Sequence, residues 1–337
     1  MSLRAKYVTA VFVVLAILSM AAGIAAGEEE GLDLSARAFV IMDAKTGKIL
    51  LSFHPHHFWP PASTLKVMTA MMVRKHLKLN DEVRVSRYAA SAPPSKIGIK
   101  PGEIYTVKDL LYGLLLKSGN DAARALAERV SGSEAAFAQQ LTRQVRQWGA
   151  YRTRAATANG LPADDQYSTA EDLALMFRRA MQDPELAKIM ETKYYTIQGD
   201  KELRNHNRFL FTTPLAVAGK TGYTRAARHT YVGMFKHDNH EIIVAAMGST
   251  KKKEWADLRS LIETGFQLEG APIAKLPPAE EKLRFARHRH RHYRKVHHRI
   301  TRRARRKRRA KVVLGSTIAA PAKKRAALKR KPGTQRD

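Results

Sequence analysis

Ser63 and Lys66 stand three residues apart in 60-PPASTLKVMTA-70, where two prolines end whatever precedes and a run of good helix formers follows. A serine hydroxyl is a poor nucleophile unless a base lies beside it. On a helix, residues i and i+3 share a face, so this spacing brings the lysine amine to the hydroxyl. A lysine in water titrates near ~10.4 and is protonated at neutral pH, which disqualifies it as a base. Burial and a second cation both lower that value. The pair therefore calls for a buried setting and a cationic neighbour.

Ser-x-x-Lys alone is a weak signal. It recurs at Ser249-Thr-Lys-Lys252, in what reads as a loop after a strand, and Lys-Thr-Gly occurs at 45–47 as well as at 220–222. The ordered set is what carries weight. Ser63 and Lys66 sit at a helix start, Ser118-Gly119-Asn120 follows 55 residues later at a junction between helices, and Lys220-Thr221-Gly222 comes 102 residues after that. The Lys45 copy precedes Ser63 and is in the wrong order.

The elements that must position these residues can be read from periodicity and caps. Residues 36–53 are two apolar runs around a glycine-containing turn, which predicts a hairpin. A helix is expected over 63–78, and Thr106 to Asp109 has the capping-box pattern for the next. Further amphipathic helices are expected at 120–130, 133–148 and from a cap at Ser168 to about Met181, where Asp183-Pro184 breaks it. Strands are predicted at 229–235 and 240–248, and a last helix at 254–267. Strands at both ends of a helical block predict an α+β fold: an antiparallel sheet flanked by helices, with a helical lobe inserted.

The trio in this order resembles the penicillin-binding proteins and serine β-lactamases. More closely, the chain resembles the low-molecular-weight D-alanyl-D-alanine carboxypeptidases of the S11 peptidase family. The stretches that carry the likeness include 42-MDAKTGKIL-50, 117-KSGNDAARALAE-128, 159-NGLP-162, 167-YSTAEDLALM-176 and 219-GKTGYT-224, and it spans roughly 35–268. The resemblance implies that Ser63 attacks the carbonyl between two D-alanines of a peptidoglycan stem peptide, and Lys66 takes its proton. It implies that Ser118 relays a proton to the leaving amine, linking Lys66 and Lys220, while Asn120 holds the substrate amide and orients Lys66. Lys220 and Thr221 would receive the terminal carboxylate. Gly222 would let the peptide lie along the edge strand, and the backbone N–H groups of Ser63 and Tyr223 would form the oxyanion hole. β-Lactams would acylate the same serine. No cofactor and no metal are implied, and His54, His56 and His57 read as surface residues. An endopeptidase cutting cross-links shares the same machinery. A β-lactamase is disfavoured by the lack of a Glu-x-x-Leu-Asn loop, and a passive polyanion- or wall-binding protein by the intact trio.

Three departures from the family pattern stand out. Ala227 is followed by Arg228 where glycine is usual, His206 stands between Asn205 and Asn207 in place of a usual arginine, and the Met-Asn pair expected before the NGL stretch is missing. The β-rich second domain and amphipathic anchor of the family find no counterpart in the sequence.

The ends of the chain have a different character. Arg4 and Lys6 precede the uncharged run 7–27, and 21-AAGIAAG-27 supplies small residues, so 1–26 reads as a signal peptide that places the remainder outside the cytoplasm, in the periplasm or on the outer face of the cytoplasmic membrane. After a proline-containing linker (269–282), residues 283–337 are rich in Arg, Lys and His. Residues 282–337 hold 23 Lys/Arg against one acid, Asp337, whereas 1–281 hold 37 against 29. The formal charge of +30 thus lies mostly in a tail too polar to fold alone, expected to be disordered. Export argues against nucleic acid as its partner and leaves anionic lipid or wall polymers. The absence of cysteine excludes disulfides and thiolate chemistry.

Overall fold

The two ends of the domain meet in one sheet. The computed structural model describes residues 32–277; the expected signal peptide and the basic tail lie outside them. The chain starts with the hairpin β1 (Ala38–Asp43) and β2 (Ile49–Phe53). A 3-10 turn, Ala62–Leu65, opens the helical block: α1 (Lys66–His76), β3 (Glu82–Arg84), α2 (Arg87–Ala90), β4 (Ile104–Thr106), α3 (Val107–Leu116), α4 (Asn120–Ser131) and α5 (Glu134–Gln147). α6 (Ala170–Ala180), α7 (Pro184–Glu191), β5 (Tyr194–Ile197), β6 (Lys201–Arg204) and α8 (Phe209–Thr212) complete it. The sheet resumes with β7 (Ala216–Thr224), β8 (Arg228–His237) and β9 (His240–Ser249), and α9 (Glu254–Leu268) follows.

The five-stranded sheet has the order β2-β1-β9-β8-β7, every neighbouring pair antiparallel. β1 and β9 are nearly continuous apolar runs because both their faces are covered. One face packs on the helical block through Val40, Leu65, Met68, Ala174 and Val232. The other packs on α9 through Ile41, Phe235, Ile242, Leu261 and Phe266. Phe266 is fully buried, and a side chain of that size contributes roughly 1.5–3 kcal/mol by its removal from water. β2 and β7 are the edge strands, and the free edge of β7 borders the helical block.

Several boundaries differ from the sequence reading, each for a physical reason. The helix expected over 63–78 is a 3-10 turn followed by α1, and it ends at His76. Thr169, not Ser168, caps α6: its side chain accepts from the Asp172 N–H, and Ser168 Oγ instead bonds Thr153 Oγ1 at 2.8 Å in a buried cluster. Asp183-Pro184 does more than end α6. Asp183 accepts from the N–H groups of Glu185 and Leu186 and starts α7, with proline in the first turn, where its missing donor costs nothing. The β5–β6 hairpin was not foreseen. Past α9, Leu276 N–H donates to Glu263 at 2.7 Å, and Ile273 and Leu276 pack on the α9 side, so this part of the expected linker lies along the domain.

Candidate active site

The nucleophile turn is clamped on both sides. Ala62 adopts φ +49°, a left-handed conformation worth roughly 1–3 kcal/mol of strain in a residue with a Cβ. The Thr230 and Thr64 hydroxyls both donate to the Pro61 carbonyl, at 2.9 and 2.6 Å. Gly160 approaches so closely that a Cβ there would lie 1.8 Å from the Ala62 carbonyl oxygen. A Cβ on Gly222 would meet Thr230 Oγ1 at 2.3 Å and Ser63 N at 2.9 Å. Gly222 is therefore glycine so that β7 can press against the nucleophile turn, a different reason from the substrate-clearance one expected.

The 3-10 turn sharpens the Ser63–Lys66 pairing. At three residues per turn, positions i and i+3 eclipse one another, whereas on an α-helix they are offset. Lys66 Nζ lies 2.9 Å from Ser63 Oγ, 2.8 Å from Asn120 Oδ1 and 2.5 Å from the Asn159 carbonyl. Two of those three are oxygens that can only accept. A neutral amine has two N–H bonds and one lone pair, so with both hydrogens on Asn120 and Asn159, the lone pair faces the Ser63 hydroxyl. Lys66 is fully buried, and burial first, then the nearby Lys220 charge, holds its pKa well below the ordinary lysine value; Glu134 and Asp121 partly offset this.

Lys220 on β7 is buried too, and burial lowers its pKa to about 7. Its Nζ donates to Ser118 Oγ at 3.0 Å and to the Thr221 carbonyl at 2.7 Å. Ser118 sits at φ +60° between α3 and α4. It is thus hydrogen-bonded to one of the two lysines it was expected to link. Asn120, the first residue of α4, has Oδ1 on Lys66 and Nδ2 on the Pro93 carbonyl at 3.0 Å. Thr221 is half-buried and the Tyr223 ring is exposed at the rim. All eight expected residues (Ser63, Lys66, Ser118, Asn120, Lys220, Thr221, Gly222 and Tyr223) converge on the β7 edge and the two turns facing it.

Other residues of the site went unassigned in the sequence. Glu134 is buried; its Oε1 accepts from Ala158 N–H and Asn159 Nδ2, both at 3.0 Å, and its Oε2 from Tyr88 and Arg124. It fixes the loop whose carbonyl holds Lys66. Its disguise was its position: an acid in the first turn after Ser133 reads as a helix-dipole residue. Asp121 accepts from the backbone N–H groups of Ile97, Gly98 and Ile99 and ties that loop to the start of α4.

The departures find places. Arg228 has φ +55°, in the region that favours glycine, and stands exposed opposite Thr224 where β7 and β8 begin to pair. The His206 imidazole is neutral: burial first, then Lys220, Lys117 and Arg204, lower its pKa to about 3. His56 pairs with Glu171 at 2.7 Å, and the His54 and His57 rings contact Phe53, Trp59 and one another.

The family described as D-alanyl-D-alanine carboxypeptidase, the S11 peptidases, matches residues 24–251. The chain belongs to this family. It is 35% identical to the D-alanyl-D-alanine carboxypeptidase DacB2 of Mycobacterium tuberculosis over 245 residues, 70% of this chain and 84% of that protein. It is 33% identical to DacF of Bacillus subtilis over 251 residues, 71% of this chain, and spans 64% of DacF. Among solved structures, a D-alanyl-D-alanine carboxypeptidase of M. tuberculosis superposes with a TM-score of 0.68 at 33% identity, covering 72% of this chain and 96% of that one. A variant of the Streptomyces K15 DD-transpeptidase superposes with a TM-score of 0.66 at 25% identity, covering 69% and 98%.

Proposed function

We propose that this S11 enzyme is a serine D-alanyl-D-alanine carboxypeptidase that removes the terminal D-Ala of peptidoglycan stem peptides through an acyl-enzyme on Ser63. The observation that carries this reading is the fully buried Lys66 Nζ, 2.9 Å from Ser63 Oγ; in its neutral form, with both hydrogens on Asn120 and Asn159, it keeps a lone pair for the Ser63 proton. Ser63 Oγ bonds to the penultimate D-Ala carbonyl carbon as its proton passes to Lys66 Nζ. The oxyanion lies between the N–H groups of Ser63 and Tyr223, donors worth roughly 3–4 kcal/mol each in the transition state. The C–N bond breaks as the leaving amine takes, through Ser118, the proton that Lys66 received from Ser63, which returns Lys66 to its neutral form. Lys220, in its charged form, and Thr221 hold the terminal carboxylate. Asn120 orients Lys66. Water then hydrolyses the ester. A β-lactam, whose ring amide takes the place of D-Ala-D-Ala, stops at the acyl-enzyme.

Intact-mass spectrometry after incubation with penicillin tests this. One adduct on Ser63, absent from Ser63→Ala and retained by Ser249→Ala, is expected; labelling that survives Ser63→Ala contradicts it. Digestion of purified muropeptides separates carboxypeptidase from endopeptidase action, because only the second converts dimers to monomers.

Export by residues 1–26 and tethering by 283–337 complete the proposal. Each Lys or Arg near an anionic surface contributes about 1 kcal/mol, screened within a Debye length. Truncation after Glu281 is expected to leave D-Ala release from a soluble pentapeptide unchanged and to abolish low-salt sedimentation with anionic vesicles or sacculi. Binding that ignores salt contradicts the tether.

A further inference from the structure

Behind the β7 edge lies a second polar cluster that the proposed chemistry does not use. His229 is the cross-strand partner of Tyr223 on one side and of Ser249 on the other. Cross-strand partners share a face, so all three side chains project toward α9. The pairing with Ser249 exists because of a bulge: the register shifts between His229 and Thr230, and Gly248, at φ +80°, is the extra residue. Bulges of this kind re-aim a side chain beside a functional strand. His229 Nδ1 is bonded to Glu254 Oε2 at the first residue of α9. The Tyr223 ring lies over the imidazole with centroids 4.6 Å apart.

Two polar atoms here are buried with no hydrogen-bond partner: His229 Nε2 and Ser249 Oγ. Such groups destabilise the fold unless something satisfies them. Both belong to residues lining a cavity of about 10 Å³ together with Thr221, Tyr231, Glu254 and Leu258. That volume is about what one water needs, and a site with several polar partners suits one. Glu254, His229 and Ser249 have the acid–imidazole–hydroxyl composition of a hydrolytic triad, but a space of that size admits no acyl substrate. The cluster can position; it cannot turn over a substrate of its own.

We propose that Glu254 and His229 form a positioning pair which, through one water shared with Ser249 and through the imidazole under the Tyr223 ring, fixes the β7 edge at Tyr223 for acylation. The chain of contact runs from the first turn of α9, through His229, to the strand that carries Lys220, Thr221 and the Tyr223 N–H. This rests on the reading of Tyr223 N–H as an oxyanion donor. Loss of an oxyanion donor costs about 10²–10³-fold in rate. A donor that is present but loosely held loses less, so about tenfold is expected.

The test is the penicillin acylation rate at saturation, per titratable Ser63, with the half-saturating concentration and Tm recorded for each variant. Glu254→Ala and His229→Ala are expected to slow acylation about tenfold with little change in half-saturation. Glu254→Gln, which still accepts the imidazole N–H, should recover to within about threefold of wild type. Ser249→Ala should fall about threefold. If Glu254→Ala and His229→Ala lower Tm while acylation per site stays unchanged, the pair is only structural and the proposal is overturned. It is overturned equally if Glu254→Gln is as slow as Glu254→Ala. Should His229→Ala not fold, the two Glu254 variants decide. Labelling of Ser63→Ala in the same series sinks the Ser63 reading itself, an outcome distinct from normal acylation in the Glu254 variants.

Discussion

Ser63-Thr-Leu-Lys66 and Ser249-Thr-Lys-Lys252 have the same spacing and opposite fates. Ser63 sits in a strained 3-10 turn with its lysine eclipsed, fully buried and ringed by oxygens. Ser249 ends β9 with its side chain under the sheet, while Lys252 stands exposed in the following turn. The two Lys-Thr-Gly copies divide the same way: Lys220 is buried on β7, whereas Lys45 is exposed in the β1–β2 turn and bonds the Asn239 carbonyl. Spacing makes a hydroxyl and an amine neighbours. Burial and the nearby Lys220 charge make the amine a base.

The largest effect that would sharpen this contrast is Lys66→Ala, expected to slow penicillin acylation by about 10²–10⁴-fold, the range for a lost general base, with far-UV CD unchanged. Near-normal acylation at pH 7 would make Lys66 a structural neighbour. Lys252→Ala is the matched control, expected to stay within about twofold of wild type.

Lys220 gives the contrast a thermodynamic form. Burial lowers its pKa to about 7 in the folded state, against about 10.4 in an unfolded chain. Between those values the unfolded state binds the extra proton, so stability rises with pH and is lost as pH falls toward 7. Lys220→Met removes that dependence. The stability difference between variant and wild type, read from urea titrations, should grow by up to about 1.4 kcal/mol per unit as pH falls from 10 to 7, then level off. A difference independent of pH would mean that Lys220 keeps its ordinary pKa. For activity the sign reverses. The charged form grips the carboxylate, so kcat/KM should fall above about pH 7, and Lys220→Arg should move that limb upward, since arginine stays charged.

A smaller effect is expected at Glu134. Glu134→Ala strips the acceptor from Ala158 N–H and Asn159 Nδ2, a loss of about 1–3 kcal/mol for unsatisfied buried donors, and loosens the loop whose carbonyl holds Lys66. Thermal unfolding and acylation should both report it. Unchanged acylation would detach Asn159 from the base.

These predictions draw on parts of the molecule that were unequally legible. The trio, the sheet built from both chain ends and most helices could be read because caps such as Thr106 and periodic apolar positions are local signals. The boundary at Ser63 could not, because 3-10 geometry there is imposed by Gly160 and Gly222 pressing from distant segments. Glu134, Asp121 and the His229 cluster were invisible for the same reason: their meaning lies in partners such as Asn159, Ile97 and Ser249, brought close only by the fold. Asn159 falls within 159-NGLP-162, but its backbone carbonyl carries the role, and a carbonyl has no sequence signature.

Activation of Ser63 depends most directly on the protonation state of Lys66. NMR titration of the domain with lysine methylene carbons labelled at Cε, assigned with Lys66→Ala and Lys220→Ala, measures it. Two lysine signals are predicted to titrate below the ordinary lysine range, Lys220 near pH 7 and Lys66 well under its usual value. If Lys66 titrates at the ordinary lysine value of about 10.4, it is an ammonium at neutral pH, and it cannot be the base that activates Ser63.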